Sequence, residues 1–517
     1  MSYLRLAEQG LETVGPRIFV PEPLDRLPVI VGVGQVNDRP DDPLEGMNPV
    51  ALMVEALRRA EADSGARMLT EADTLATVKQ ISFPDVADCP DRVAGAIGAL
   101  HARLSETVLP SGESPVRLLN DAANRIGTGE IEVALVCGGE ALRTAAAHVA
   151  ASEKGRKLDP VREARHRVHT GYAAEHGLIA PVDFYPLYEN ALRASLGQTF
   201  DEAQAESSVI WSLMSQVAAS NPHAWIHKEM SPAEIAAPSP SNRMIAFPYT
   251  KLQVANSSVN QGAASIVTSV GKARSLAIPR AQWIYVGNGA GANEPEDVLA
   301  RDRLDRSVSM EAVIRRALDL NGIGPGDLDA VELYSCFPCI PKLARRVLGW
   351  PVEKPASVFG GLTFGGGPVG NYMSHAIASM TDRLRARGGT GLLFGNGGVA
   401  TRNHAIVLSS DPIEGASFPR SFGFQDEADA LRGPIPSLDE NHIGPATVET
   451  WTVFFERNGS PCSGVVVART PNGARTLALL KIEDCAALTS DPDRAPEPIG
   501  SMGQIVAEGD RRFWQFH

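Results

Sequence analysis

Thr390-Gly-Leu-Leu-Phe394-Gly-Asn-Gly-Gly398 is an apolar run closed by glycines, and a helical pattern over residues 372–387 precedes it. The same succession occurs in the first half: a helical pattern over 114–129 ending in glycine, then Val133-Ala-Leu-Val-Cys137 and Gly138-Gly139. Apolar runs this short, bounded by glycine, predict buried strands, and the patterns before them predict helices. Working outward, Val29 to Val33, between Pro28 and Gly34, predicts a further strand, and Val50, Met53, Val54, Leu57 and Ala60 fall at helical spacing. In the second half, 283–287 and 329–337 read as strands around a helix at 309–320. The halves share a strand–helix–strand–helix–strand order, which predicts a duplicated α/β unit whose sheets are covered by helices.

At 517 residues the chain exceeds one hydrophobic core, and 44% hydrophobic with 21% charged residues describes a folded protein. No apolar stretch is long enough to span a bilayer, so no membrane partner is expected. The first thirty residues carry acids and prolines where a signal peptide needs an unbroken apolar run, and the expected location is the cytoplasm. A net charge of −13 argues against general nucleic-acid or anionic-membrane binding, because both partners are polyanions. Cys89, Cys137, Cys336, Cys339, Cys462 and Cys485 are scattered, which suits free thiols in a reducing compartment.

Four regions follow: an N-terminal extension (1–24), a first half (25–272), a second half (273–411) and an additional domain (412–517). The first half is interrupted at 145–245 by an insertion that holds Lys154, Arg156, Lys157, Arg162, Arg165 and Arg167. It reads as loops over one face of the core, the usual place for substrate-binding segments. Past residue 412, the stretches 447–456, 464–469 and 476–482 read as strands, with Asn458-Gly459 and Asn472-Gly473 as hairpin turns. This predicts a small, barrel-like β-domain.

Gly32-Val-Gly34 follows a strand but lacks the third glycine and the distal acid of a dinucleotide site. Gly360-Gly-Leu-Thr-Phe-Gly365-Gly-Gly-Pro-Val-Gly370 carries no Lys-Ser or Lys-Thr, so it is no P-loop. Such glycine density before a helix means backbone packed closely on a ligand or on another strand, and the ligand-lining reading is preferred. His166, His169 and His176 with Glu163 and Glu175 are loosely spaced in an arginine-rich segment, and no metal site is expected there. Ser114 before Pro115 reads as a helix N-cap. Ser111 and Ser114 lack an adjacent base that would make either a nucleophile; His375 and His404 can be nominated only loosely.

Over roughly residues 25–410 these features resemble the thiolase superfamily. Val331-Glu-Leu-Tyr334-Ser-Cys336-Phe337 resembles the His-Asp-Cys-Phe loop of sterol-carrier-protein-two-type thiolases, and 360–370 resembles their Gly-His-Pro loop. Ala255-Asn-Ser257-Ser258 resembles the segment before the last strand of the first half, and the region past 412 resembles the extra domain of thiolase-like proteins of type one. The resemblance implies a five-layer fold of two βαβαβ-type halves. It also implies an acyl-CoA substrate, no cofactor beyond that coenzyme A, and a homodimer by default, with a monomer as the alternative. Lys154, Arg156, Arg165 and Arg167, with Ser257 and Ser258, would hold the CoA. Gly366, Gly395, Asn396 and Gly397 would form the backbone loops about the reacting oxygen.

The departures matter most. The family's nucleophilic cysteine falls on Gly112, its catalytic histidine on Gly367, and its final Cys-x-Gly loop on Leu393-Phe394-Gly395. Cys336 remains at the position of a proton-transferring cysteine, while Tyr334 and Ser335 replace the histidine and aspartate. One reading is a carbon–carbon lyase of the retro-aldol or Claisen type, similar to steroid side-chain aldolases, although their second tyrosine falls on Phe364. The others are a non-catalytic acyl-CoA binder and a conventional acetyl-CoA acetyltransferase, the latter contradicted by the missing cysteines.

Overall fold

The computed structural model describes residues 24–152, 171–413, 418 and 421–516. The first half contributes β1 (Pro28–Asn37), β2 (Thr74–Thr77), β3 (Arg103–Glu106) and β4 (Val133–Ala141). The insertion adds β5 (Met244–Ala246) and β6 (Tyr249–Thr250), and β7 (Asn260–Ser269) closes the half. The second half supplies β8 (Ile284–Asn293), β9 (Ala330–Leu333), β10 (Thr390–Gly397) and β11 (Arg402–Ser409).

Apart from β5 and β6, these strands form one nine-stranded sheet in the order β3-β2-β4-β7-β1-β8-β11-β10-β9. The duplication is visible in the pairings. β1–β7 and β8–β11 are antiparallel, β4–β7 and β10–β11 are antiparallel, and β2–β4 and β9–β10 are parallel. The two units meet through β1 and β8, where Val29 faces Tyr285 and Ile30 faces Ile284. The second unit lacks a counterpart of β3, and both units hold more strands than the three that the sequence pattern predicts for each, five in the first and four in the second.

The helices Ser114–Gly127 and Tyr372–Arg387 pack on strands of both units and form the middle layer. Pro49–Ser64 covers β1 and β7 outside one unit, and Val308–Leu320 covers β8 and β11 outside the other. The result is a five-layer α/β/α/β/α body. Burial on two faces explains why the middle helices carry Ala and Ser where a surface helix would carry charge. Gly32 and Gly34 are packing devices: a Cβ on either would overlap the Ala60 or Ala56 carbonyl of the covering helix.

The insertion is helical where loops were expected. Its helices Pro181–Ser195 and Phe200–Ser220 lie over the core, and a buried ion pair pins them there. Glu189 meets Lys342 from the helix Cys339–Leu348, the Lys342 ammonium also reaches the Ala203 carbonyl at 2.8 Å, and the Tyr249 hydroxyl donates to Glu189 at 2.9 Å. Glu206 is held by Arg345 and Arg346, each at 2.7 Å.

The additional domain has β12 (Gly444–Phe455), β13 (Pro461–Arg469), β14 (Arg475–Leu480), β15 (Met502–Glu508) and β16 (Arg511–Phe516). The pairings β12–β13–β14–β16–β15–β12 close a five-stranded barrel. The sequence pattern revealed three of these strands; β15 and β16, in which charged, amide and glycine residues interrupt the apolar ones, escaped it. Gly459 and Gly473 adopt the positive φ their turns require, 86° and 81°. The barrel is tied to the insertion. β5 pairs with β12, the Asn190 amide donates to the Trp451 carbonyl at 2.8 Å, and the Leu477 amide donates to the Tyr172 hydroxyl at 2.8 Å.

Burial pushes the Glu206 carboxyl up, but the hydrogen bonds and charges of Arg346, Lys342 and Arg345 outweigh it and hold the group at about 2. A carboxyl depressed on folding contributes stability above its unfolded value and loses it as pH falls through its folded one. Glu206→Gln is expected to lower Tm at pH 7, with the gap to the parent closing as the pH approaches 2 in thermal melts.

Candidate functional site

β9 ends at Leu333, not at residue 337 as the pattern predicts, because the chain turns from Tyr334 into the helix that begins at Cys339. The Tyr334 amide still donates to the Phe394 carbonyl at 3.0 Å, which fixes Tyr334 beside β10. Glu332 and Tyr334 alternate to the same face of the strand, towards Tyr372. The Tyr372 ring stands edge-on to Tyr334 at 5.7 Å, and its hydroxyl donates to Glu332 at 2.6 Å. Glu332 also receives the Ser357 hydroxyl and the Val358 and Phe359 amides, and burial pushes it up to about 7. Tyr334 is thus backed by a fully bonded, buried wall.

A cavity of about 300 Å³ opens at the ends of β9 and β10 and at the start of the Ser114–Gly127 helix. Gly112, Ser257, Tyr334, Cys336, Gly367, Asn396 and Gly397 all line it. Residues far apart in sequence converge there because β9 and β10 are parallel neighbours and the helix starts between the two units. The remaining wall is largely apolar, including Pro181, Val182, Ile245, Val254 and Leu362.

A Cβ on Gly112 would overlap the Tyr334 hydroxyl and the Asn396 carbonyl. The space into which a side chain would grow from position 112 is therefore filled by the phenol of Tyr334. The missing side chain and the tyrosine are two parts of one packing arrangement.

Other predicted residues stand outside the lining. Ser335 is fully buried, and its hydroxyl accepts the Leu362 amide at 3.2 Å, tying the glycine loop to β9. Gly366 (φ 105°) lies on the side chain of Gln261, and Gly395 lets β10 approach the backbone of Glu113. Ser258 is exposed. Lys154, Arg156, Arg165 and Arg167 lie outside the described residues, as do Glu163, His166 and His169. Ser114 is the first helical residue, not the cap; Glu113 takes the cap position without a side-chain bond, because its carboxyl is engaged by the Ser111 hydroxyl. His375 bonds Gln35 at 2.8 Å and His404 bonds Asn120 at 2.9 Å, and neither lines the cavity. Phe364 is buried, and its carbonyl accepts the Trp225 and Ile226 amides. Among the described residues no group of His, Cys, Asp and Glu could hold a metal ion, and no helix is long and apolar enough to cross a membrane.

The sequence reading missed Tyr185. It comes from the insertion, lines the cavity, stacks on Phe337 at 4.5 Å and lies against the Cys336 thiol. Its hydroxyl donates towards the Asn396 side-chain oxygen (3.1 Å) and the Gly398 carbonyl (3.3 Å), and accepts the Ala400 amide at 2.9 Å. Burial, then the neighbouring Cys336, pushes its ionisation well above the ordinary tyrosine value. Its neighbours Tyr185-Pro-Leu-Tyr188 are all apolar or aromatic, so no local signal marked which ring faces the site. Val369 also lines the cavity, at φ 46°, an unusual conformation for a β-branched residue.

The duplicated five-layer body with this cavity is that of a thiolase-fold protein. Its likeness to human mitochondrial 3-ketoacyl-CoA thiolase (15% identity, TM-score 0.57, covering 75% of this chain and 100% of that one) lies in the fold. The chain belongs to the SCP2-thiolase-like proteins of type 1: it is 32% identical to a monomeric SCP2-thiolase-like protein type 1 from Mycobacterium smegmatis, with a TM-score of 0.80 over 95% of this chain and 99% of that one. Residues 425–510 match the thiolase-like protein type 1 additional C-terminal domain. The fold is also similar to a chain of an Ltp2–ChsH2(DUF35) aldolase (19% identity, TM-score 0.58, covering 75% of this chain and 98% of that one). Comparison with curated protein sequences finds no match.

Forcing a methyl between Gly112 and Tyr334 is expected to cost roughly 1–3 kcal/mol, the usual penalty of overpacking. Gly112→Ala should therefore melt below the parent, and adding Tyr334→Ala to the same chain should recover part of the loss. Equal stability of Gly112→Ala and the parent would refute the packing account.

Proposed function

We propose that the chain acts on a CoA thioester by carbon–carbon bond cleavage, or its reverse, without forming an acyl-enzyme. The observation that carries this reading is the Tyr334 hydroxyl over Gly112, where a nucleophile's side chain would have to stand. In the cleavage direction a 3-hydroxyacyl-CoA loses its hydroxyl proton, the bond between C2 and C3 breaks, and the electron pair passes to the thioester as an enolate. A carbonyl product leaves from C3, and protonation at C2 releases the shortened acyl-CoA. Such chemistry needs a proton acceptor and donors towards an enolate oxygen, but no nucleophile. Tyr334 is assigned the proton transfer and Cys336 the second, with Tyr185 and Asn396 orienting the pair.

The aldolase similarity supports this reading, and Tyr185 answers its chief departure. Where Phe364 replaces an expected tyrosine in the glycine loop, the insertion brings a second phenol to the cavity. A cavity of about 300 Å³ with aliphatic walls suits a compact acyl group, since ~150 Å³ already encloses a benzene ring. Ser257, which lines the cavity, is assigned to the pantetheine arm, and Lys154, Arg156, Arg165 and Arg167 are assigned to the CoA phosphates. Coenzyme A enters as part of the substrate and no further cofactor is invoked.

The six free thiols support a reducing, cytoplasmic setting. A monomer is proposed on the strength of the Mycobacterium smegmatis relative. The edge strand β3, which carries Arg103 and Glu106 and exposes Leu104, is the surface a homodimer would use.

The second reading, an acyl-CoA binder without turnover, is favoured by Gly367, which offers backbone where the family's histidine donor would stand. Incubation with 3-hydroxyacyl-CoAs, followed by assay of the carbonyl product and intact mass of the chain, separates the two. Cleavage without an adduct, reduced roughly 10²–10⁴-fold in Tyr334→Phe, is expected. A covalent acyl adduct, or undiminished turnover in Tyr334→Phe, would overturn the proposal; tight binding without cleavage would establish the second reading.

A further inference from the structure

The segment around Gly112 separates two cavities. Pro110 and Gly112 line the one already described; Ser111, Glu113 and Ser114 line a second, of about 410 Å³, with Arg117, Arg402, Asn403, His404 and Gly291. His404 forms part of its wall and is only 1% exposed. Its Nε2 faces the Asn120 amide nitrogen at 2.9 Å, so Nε2 accepts and Nδ1 carries the proton. No hydrogen-bond acceptor faces Nδ1 among the described residues. Beside it the chain has Gly291, where a Cβ would stand 2.7 Å from Nδ1. Burial, then the charge of Arg117, holds His404 down at about 3, so the ring is a neutral donor at physiological pH.

Arg117 projects from the first turn of the Ser114–Gly127 helix, half-buried, and has no ion-pair or hydrogen-bond partner among the described residues. The second guanidinium, Arg402, is joined to Glu296, which is 70% exposed. Glu113 is the one carboxyl among the described residues of the wall, and the charges of Arg402 and Arg117 act on it. It is bonded to Ser111 and pushed towards its neutral form by burial. Two guanidinium groups in one wall, faced by a single carboxyl that burial pushes towards its neutral form, leave positive charge for an anion to join.

We infer that this second cavity is a binding site for a small oxyanion, a carboxylate or a phosphate, held between Arg117, Arg402 and Nδ1 of His404. A planar guanidinium presents two parallel donors to either group, and a neutral imidazole adds a third without further charge. The segment 110–114 lies between this site and the cavity lined by Tyr334.

Calorimetric titration of the full chain with sodium phosphate and with sodium acetate, at constant ionic strength set by chloride, tests the site. Saturable binding of one or both anions is expected, and the arm that binds identifies the chemistry. Arg117→Met, which keeps the aliphatic stem, should weaken binding at least about ten-fold, the loss of one charge-assisted bond. Arg117→Lys should fall between the two. Because Arg117 makes no hydrogen bond or ion pair among the described residues, and the one carboxyl it acts on, Glu113, is pushed towards its neutral form, Arg117→Met should melt no lower than the parent in anion-free buffer. No saturable binding of either anion, or equal binding by the parent and Arg117→Met, would overturn the site.

Discussion

The hydroxyl end of Tyr334 rests on the bare Cα of Gly112 and on the Asn396 carbonyl, and three elements must meet for that to happen. The end of β9 delivers the ring, the start of the Ser114–Gly127 helix delivers the glycine, and the end of β10 delivers the carbonyl. Any side chain at position 112 would displace the phenol, and any displacement of β9 against β10 would open the gap. Nearly all the polar choices behind the cavity serve this arrangement. Tyr372 backs the Tyr334 ring, Glu332 fixes Tyr372, and Ser335 ties the glycine loop to the same strand end.

The insertion and the barrel extend the same logic outward. Tyr185 reaches the cavity only because the helix Pro181–Ser195 is fixed on one side by the Glu189–Lys342 pair and on the other by β12. A buried pair of this kind adds little net stability against an apolar alternative, but breaking one partner strands a charge, so it selects one docking geometry. β5 belongs to the insertion by sequence and to the barrel sheet by pairing, and Ile245 at its centre lines the cavity. The additional domain therefore contributes to the site by holding its wall.

The same short segment, 110–114, faces two chambers of different character. Towards Tyr334 the surroundings are apolar apart from a few hydroxyl, amide and thiol groups; towards Arg117 they are cationic. The chain turns from Ser111 into the helix that starts at Ser114, and that turn presents Pro110 and Gly112 to one side and Ser111, Glu113 and Ser114 to the other.

Much of this was legible in the sequence, and the reason is periodicity. Apolar runs closed by glycine gave the duplicated order, because a strand buried on both faces must be apolar throughout and a helix packed on it needs glycine for close approach. Local motif position gave Gly112, Tyr334 and Cys336, since each stands at the end of a strand or the start of a helix. What lay beyond the sequence depended on which way side chains turn. Ser335 adjoins Tyr334 in the chain yet points into the body, and Tyr185 sits in an unbroken apolar stretch that only tertiary packing divides into a core side and a cavity side. The missing β3 counterpart, the helical insertion and the borrowed strand β5 were decided in the same way, by contacts between segments whose separation along the chain leaves no local trace.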